Sequence, residues 1–90
     1  MKLYLTEGMF AGDMLIKEIG SETSETKKIL EHIFNWKNDE ENRKRFKIES
    51  YDRFVFDNKS HQIAVDFGDY RNFMLITDVD ETQMKQFTNI

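Results

Sequence analysis

The run from Phe46 to Thr77 constrains the fold more than any other part of the chain. Three stretches rich in β-branched and aromatic residues alternate with two short polar segments. Runs of this composition, separated by turn-forming residues, are typical of an antiparallel meander. The predicted strands cover 51–56, 62–67 and 73–77, and the predicted turns cover 57–61 and 68–72. An additional strand at Phe46-Lys47-Ile48 is an alternative extension of the meander.

A second hairpin is predicted at the start of the sequence. Residues 2–6 alternate between apolar and polar side chains, and apolar content resumes from Met9 to Ile19. We expect Gly8, Gly12 and Gly20 to occupy turns or bulges, because their spacing fits no phosphate-binding loop. The register of the second strand stays open, since a shift by one residue would exchange its two faces.

An amphipathic helix follows, at about residues 24–37. Apolar residues recur there at helical spacing, and the hydroxyl groups between Ser21 and Ser24 offer N-caps. We expect this helix to cover one face of the sheet by burying four side chains, namely Ile29, Leu30, Ile33 and Phe34.

A short C-terminal helix is predicted from a capping box between Asp80 and Gln83, with Val79 and Met84 as its hydrophobic staple. Phe87 lies one turn further on, where it can dock. The pair of aspartates at 78 and 80 could instead hold magnesium or manganese, but such a site needs further carboxylates or phosphates, and the spacing of a calcium-binding loop is absent. The capping role is favoured.

The predicted architecture is a small single-domain α+β fold, spanning residues 1–90 as one compact domain. It has an antiparallel sheet of about four to five strands, one main packed helix and a short C-terminal helix, in the order β-β-α-β-β-β-α. One helix cannot cover both faces of the sheet. If Phe54 and Phe56 face the helix, Val55 and Ala64 face the other way, where the N-terminal hairpin or the C-terminal helix is expected to cover them.

Composition excludes several kinds of chemistry. The 90 residues contain no cysteine, which rules out disulfides, thiolate metal sites and cysteine nucleophiles. No apolar run approaches the length of a membrane-spanning helix, so the expectation is a cytoplasmic protein without membrane contact. The net charge of -4 disfavours indiscriminate binding to nucleic acid.

Charge is unevenly distributed, and one basic segment stands between two acidic regions. Residues 43–53 carry five basic and two acidic side chains, whereas residues 1–42 carry five and nine. The basic segment directly follows Asp39-Glu40-Glu41, so mutual neutralisation in a solvated helix end or loop is favoured. The alternative is a nucleic-acid-binding surface, formed by Arg43, Lys44, Arg45, Lys47 and Arg53.

The candidates for catalysis and metal binding are weak. His32 and His61 each lack a second histidine at ligand spacing, so structural roles are favoured and no metal site or cofactor is predicted. Asp66 and Asp69 could act as an acid/base pair in a small hydrolase, but an outward strand position and a turn position are favoured. We therefore predict no catalytic residues and no enzyme.

The function predicted from sequence is a non-enzymatic protein-binding module. Small size, acidity and the lack of a catalytic set suggest an inhibitor or regulator of a larger nucleic-acid-processing protein, and the Asn- and Lys-rich, proline-free composition is typical of phage or mobile-element accessory proteins. The turn residues Asp69, Tyr70 and Arg71 are the predicted partner contacts, because Tyr and Arg are enriched in interface hot spots. A homodimer formed through a sheet face is a further option.

Overall fold

A computed structural model describes residues 1–7, 15–18, 20, 22–46, 53–67 and 72–89. Within them the chain forms five strands and three helices. They are β1 (Lys2–Glu7), β2 (Leu15–Glu18), α1 (Thr26–Asn38), α2 (Glu40–Phe46), β3 (Arg53–Asp57), β4 (Gln62–Asp66), β5 (Asn72–Thr77) and α3 (Glu81–Thr88). The predicted α+β fold with an antiparallel sheet is confirmed. No described helix combines the length and apolar character needed to cross a bilayer.

The sheet has the strand order β2-β1-β5-β4-β3, and all its neighbours are antiparallel. The two predicted hairpins therefore form one sheet, joined where β1 pairs with β5. A bulge between Leu5 and Thr6 shifts the pairing with β2, so that Leu5 stands opposite Lys17 and Thr6 opposite Leu15. The register of the N-terminal hairpin, which was open in the sequence, therefore changes once along β1.

Both α1 and α3 pack on the same face of the sheet, and the hydrophobic core lies between them and that face. Side chains in register across the sheet share a face, as Leu3, Ile76 and Ile63 do here. These three are fully buried, together with residues of both helices. The described core cluster consists of Met1, Leu3, Ile29, Ile33, Ile63, Val65, Phe67, Met74, Ile76, Val79, Met84 and Phe87.

The helix α1 begins two residues later than predicted and buries only part of its predicted stripe. Its N-cap is Glu25, which makes no side-chain capping bond, while the Thr23 hydroxyl accepts a hydrogen bond from the Glu25 N–H at 3.1 Å. Ile29 and Ile33 are buried and Leu30 is half-buried. The expectation that Phe34 is buried is wrong, because 61% of this residue is exposed.

Gly20 fits α1 closely against β1. A Cβ atom at this position would lie 3.1 Å from the Leu3 Cβ and 3.3 Å from the His32 Cδ2. Both distances are shorter than ordinary van der Waals contact, so a Cβ atom here would require Leu3 and His32 to move by a few tenths of an ångström. His32 accordingly packs at the helix–sheet junction.

The helix α2 was not predicted. It carries Glu40 and Glu41 in its first turn and three basic residues in its last turn, an order that complements the helix dipole. The alternative strand beginning at Phe46 is wrong at that residue, because Phe46 ends α2; Lys47 and Ile48 lie outside the described residues. Charge neutralisation within a helix end, the favoured interpretation, agrees with this arrangement.

The structure confirms the predicted capping box at the start of the C-terminal helix α3. The Asp80 carboxylate accepts from the Gln83 N–H at 2.8 Å, and the Gln83 side chain accepts from the Asp80 N–H at 2.9 Å. Val79 and Met84 are both buried, as a hydrophobic staple requires. Phe87 is buried against the sheet, so the cap fixes the position of a core side chain.

Candidate protein-binding edge

The strand β3 is the last in the sheet order and pairs with β4 alone. Within the described part of the chain, its outer side has no strand partner. The backbone N–H and C=O groups along such an edge can pair with another strand. Natural edges are often protected by lysine or proline, yet the centre of β3 is Phe54-Val55-Phe56. We call β3, with the side chains flanking it on both faces, the β3 edge.

Two side chains of β3 point towards the helices. Phe54 is in register with Val65, and Phe56 with Ile63, so both belong to the core face. Both are only half-buried, although they pack against the core. The Phe54 ring lies 6.1 Å from the Phe87 ring of α3, measured between centroids. The core therefore reaches β3, but does not enclose it.

The other face of the sheet becomes more exposed towards β3. Tyr4, Leu75, Ala64 and Val55 lie in register across four strands. Leu75 is 4% exposed, Ala64 is half-buried and Val55 is 47% exposed. The C-terminal helix is the wrong cover for this face, because α3 packs on the core face. The strands β1 and β2 extend the sheet itself, and residues 8–14 between them lie outside the described residues.

A groove of about 400 Å³ runs between α1 and β3. Its apolar lining includes Leu30, Phe34 and Phe54. Two lysines and one glutamate are among its charged lining residues. The full lining is Lys27, Leu30, Glu31, Ile33, Phe34, Asn35, Lys37 and Phe54. Phe34 and Val55 are the large exposed hydrophobic residues of the described chain, and they flank the same strand from opposite faces.

The two ends of β3 carry opposite charges. Arg53 is 64% exposed, and its Nη2 donates to the Asp66 Oδ2 at 3.2 Å across the β3–β4 pair. At the other end, the Asp57 carboxylate accepts from the backbone N–H groups of Lys59 and Ser60 at 3.0 and 3.3 Å. Hydrogen bonds from Ser60 and Lys59 hold the pKa of Asp57 below its usual range. Asp57 is therefore charged at neutral pH.

The predicted partner contacts Asp69, Tyr70 and Arg71 lie outside the described residues. Asp66, which was paired with Asp69 in the hydrolase alternative, is 5% exposed and bound to Arg53. Its buried state differs from the predicted outward position, although its register opposite Arg53 places it on the face away from the helices. The hydrolase alternative stays a prediction, because Asp69 lies outside the described residues.

The basic residues of the nucleic-acid alternative are divided between two elements. Arg43, Lys44 and Arg45 are exposed on α2, whereas Arg53 is on β3. Lys47 lies outside the described residues. The Arg43 guanidinium donates to the Lys37 carbonyl at 3.4 Å, and Arg45 also has an interaction partner. The Arg43 contact joins α2 to α1.

Histidine and acidic residues meet near the start of α3, where His61 shares a shallow cavity with Asp78, Asp80 and Glu81. The backbone is specialised there, because His61 and Asp78 both have positive φ angles of about 55°. The His61 carbonyl accepts from the Val79 N–H at 3.0 Å. Among the described residues, no group of three or more histidine and acidic side chains is arranged to hold a metal ion.

The sequence analysis did not identify Phe34 and Val55 as surface residues. Phe34 continues the apolar stripe of α1, and Val55 lies in the middle of an apolar strand. The available signal was that the one main predicted helix cannot cover both faces of the sheet. Comparisons with protein-family models, curated proteins and solved structures found no match.

Proposed function

We propose that this chain is a non-enzymatic protein-binding module that uses the β3 edge. The occupant is an extended protein segment that pairs with β3 and places apolar side chains against Phe34 and Val55. The observation that carries the proposal is that β3 has an outer edge with no partner among the described strands, and that exposed apolar side chains lie on both of its faces. Strand addition of this kind obtains affinity from main-chain hydrogen bonds and specificity from side-chain pockets.

The chemistry of the edge favours a protein over a nucleic acid. The groove is lined by Leu30, Phe34 and Phe54, whereas a nucleic-acid surface needs a cluster of cations that neutralises phosphates. The charged lining residues include the cations Lys27 and Lys37 and the anion Glu31. An extended segment with alternating apolar residues suits this surface, since its side chains would enter the groove and meet Val55 on alternate sides.

Selection from a phage-displayed library of random peptides, each about 12 residues long, tests this function. We expect selected peptides to alternate apolar and polar residues. Phe34→Glu and Val55→Lys should each weaken their binding at least about tenfold, which corresponds to about 1.4 kcal/mol. Thr82→Glu and Thr82→Lys, at an exposed position on α3, are the matched controls and should leave binding unchanged.

Peptides that bind equally well to Phe34→Glu and Val55→Lys would contradict the proposed surface. The finer expectations from sequence stay predictions: inhibition or regulation of a larger nucleic-acid-processing protein, a phage or mobile-element origin, and a cytoplasmic location. The acidic net charge of -4 is the observation that supports an opposing basic partner.

A further inference from the structure

We infer that the segment seated at the β3 edge is the β3 strand of a second copy of this chain. The inference rests on the proposed function and names its partner. It starts from the sequence of the strand, which reads Arg53-Phe54-Val55-Phe56-Asp57. The order of chemical types is cation, aromatic, aliphatic, aromatic, anion, and it is complementary to its own reverse.

Antiparallel pairing about Val55 matches every position of β3. In an antiparallel pair related by a twofold axis through Val55, Arg53 of one copy faces Asp57 of the other, and the same pair recurs at the other end. Phe54 of each copy faces Phe56 of its partner, and the two Val55 side chains face each other. Opposite charges and aromatic pairs at directly opposed positions stabilise antiparallel sheets.

The charged ends have the required exposure and protonation. Arg53 is 64% exposed, and a guanidinium has five N–H donors, so its bond to Asp66 through Nη2 leaves it able to reach a second carboxylate. Asp57 is exposed, and the turn hydrogen bonds that lower its pKa keep it ionised. A shift of the pairing by two residues would put either both Arg53 side chains or both Asp57 side chains opposite Val55 and lose both ion pairs.

The same pairing accounts for both exposed apolar side chains. The twofold axis is perpendicular to the sheet, so the helices of both copies lie on the same face of a continuous ten-stranded sheet. The two α1–β3 grooves then become neighbours, and Phe34 of each copy lies beside the new strand pair. On the opposite face, the two Val55 side chains cover each other. Closed pairing of this kind also removes the exposed edge.

Disulfide cross-linking tests the register, because the chain has no native cysteine. Directly opposed Cα atoms in an antiparallel pair are about 4.5–5.5 Å apart, within the range of a disulfide. We expect Val55→Cys to form a covalent dimer in a glutathione redox buffer at least about tenfold faster than Lys59→Cys, an exposed control in the adjacent turn. Equal rates for the two variants would overturn the inferred register.

Sedimentation velocity from about 1 μM to about 1 mM tests the association itself. The unmodified chain should approach twice the monomer mass, whereas Val55→Lys, which opposes two like charges on the axis, should remain monomeric with an unchanged far-UV circular dichroism spectrum. Val55→Thr keeps the β-branched shape and should still dimerise. A dimer that persists in Val55→Lys would overturn the inference.

The two proposals fail in different ways. If the chain stays monomeric at the highest concentration but binds selected peptides through Phe34 and Val55, the second copy is not the partner. The proposal of a protein-binding edge is then retained. A chain that neither self-associates nor binds peptides overturns both. Binding of peptides in competition with dimerisation supports both, since the two occupants would share one surface.

Discussion

The strands β3 and β4 belong to one hairpin, yet they differ in burial. The centre of β4 is Ile63-Ala64-Val65 and the centre of β3 is Phe54-Val55-Phe56, so β3 is the more aromatic of the two. Ile63 and Val65 are fully buried, whereas Val55 is 47% exposed. Among the described strands, β4 has a neighbour on each side, while β3 has one neighbour. Position in the sheet, more than hydrophobicity, decides which strand is buried.

The largest expected difference between the two strands comes from truncation at their centres. Ile63→Ala should lower the free energy of unfolding by about 2–5 kcal/mol, because it leaves a cavity among fully buried side chains. Val55→Ala should cost less than about 1 kcal/mol, since its neighbourhood is already hydrated. Urea unfolding at low micromolar concentration, where self-association is weak, measures both. A similar loss for both variants would contradict the comparison.

Removal of the α3 cap should lower the free energy of unfolding by a smaller amount. It also tests whether the stability of β3 depends on the packing of α3. Asp80→Ala removes the acceptor for the Gln83 N–H and should cost about 1 kcal/mol. Phe54 contacts Phe87 of this helix, so amide hydrogen exchange should increase in β3 more than in β5. Asp80→Asn retains an acceptor and serves as the control. Unchanged protection of β3 would show that the sheet alone holds it.

The smallest effect is the pH dependence at the end of β3. Because turn hydrogen bonds lower the pKa of Asp57 in the folded chain, its contribution to stability is complete above the ordinary carboxyl pKa of about 3.9 and is lost as the pH falls through the lowered value. Asp57→Asn should therefore reduce stability more at pH 7 than at pH 3. Urea midpoints at the two pH values provide the measurement, and a larger deficit at pH 3 would contradict the assignment.

Much of the fold was predictable because local patterns and tertiary structure agree. The capping box at Asp80 and the turn-forming residues between β3 and β4 define their elements within a few positions. The neighbour of β1 was not predictable, because pairing between Leu3 and Ile76 depends on residues distant in sequence. The helix α2 was missed because its seven residues have no apolar periodicity.

Less of the candidate site than of the fold could be predicted from the sequence. Phe34 has the spacing of a core residue, and only the three-dimensional position of α1 leaves it exposed. The complementary ends of β3, Arg53 and Asp57, were visible in the sequence. They can pair between two copies only because β3 is an edge strand, and strand order is not encoded in local composition.

The pairing of β1 with β5 has a consequence for folding kinetics. It joins segments separated by roughly 70 positions, for example Leu5 and Met74, at the centre of the sheet. During synthesis, β1 therefore cannot pair with β5 until nearly all the described residues have left the ribosome. Closing so long a loop costs entropy before any contact repays it, so we expect slow folding for a protein of this size. Until that closure, β1 and β5 each present an unpaired edge, so we expect partly folded chains to be more prone to aggregation than the folded protein.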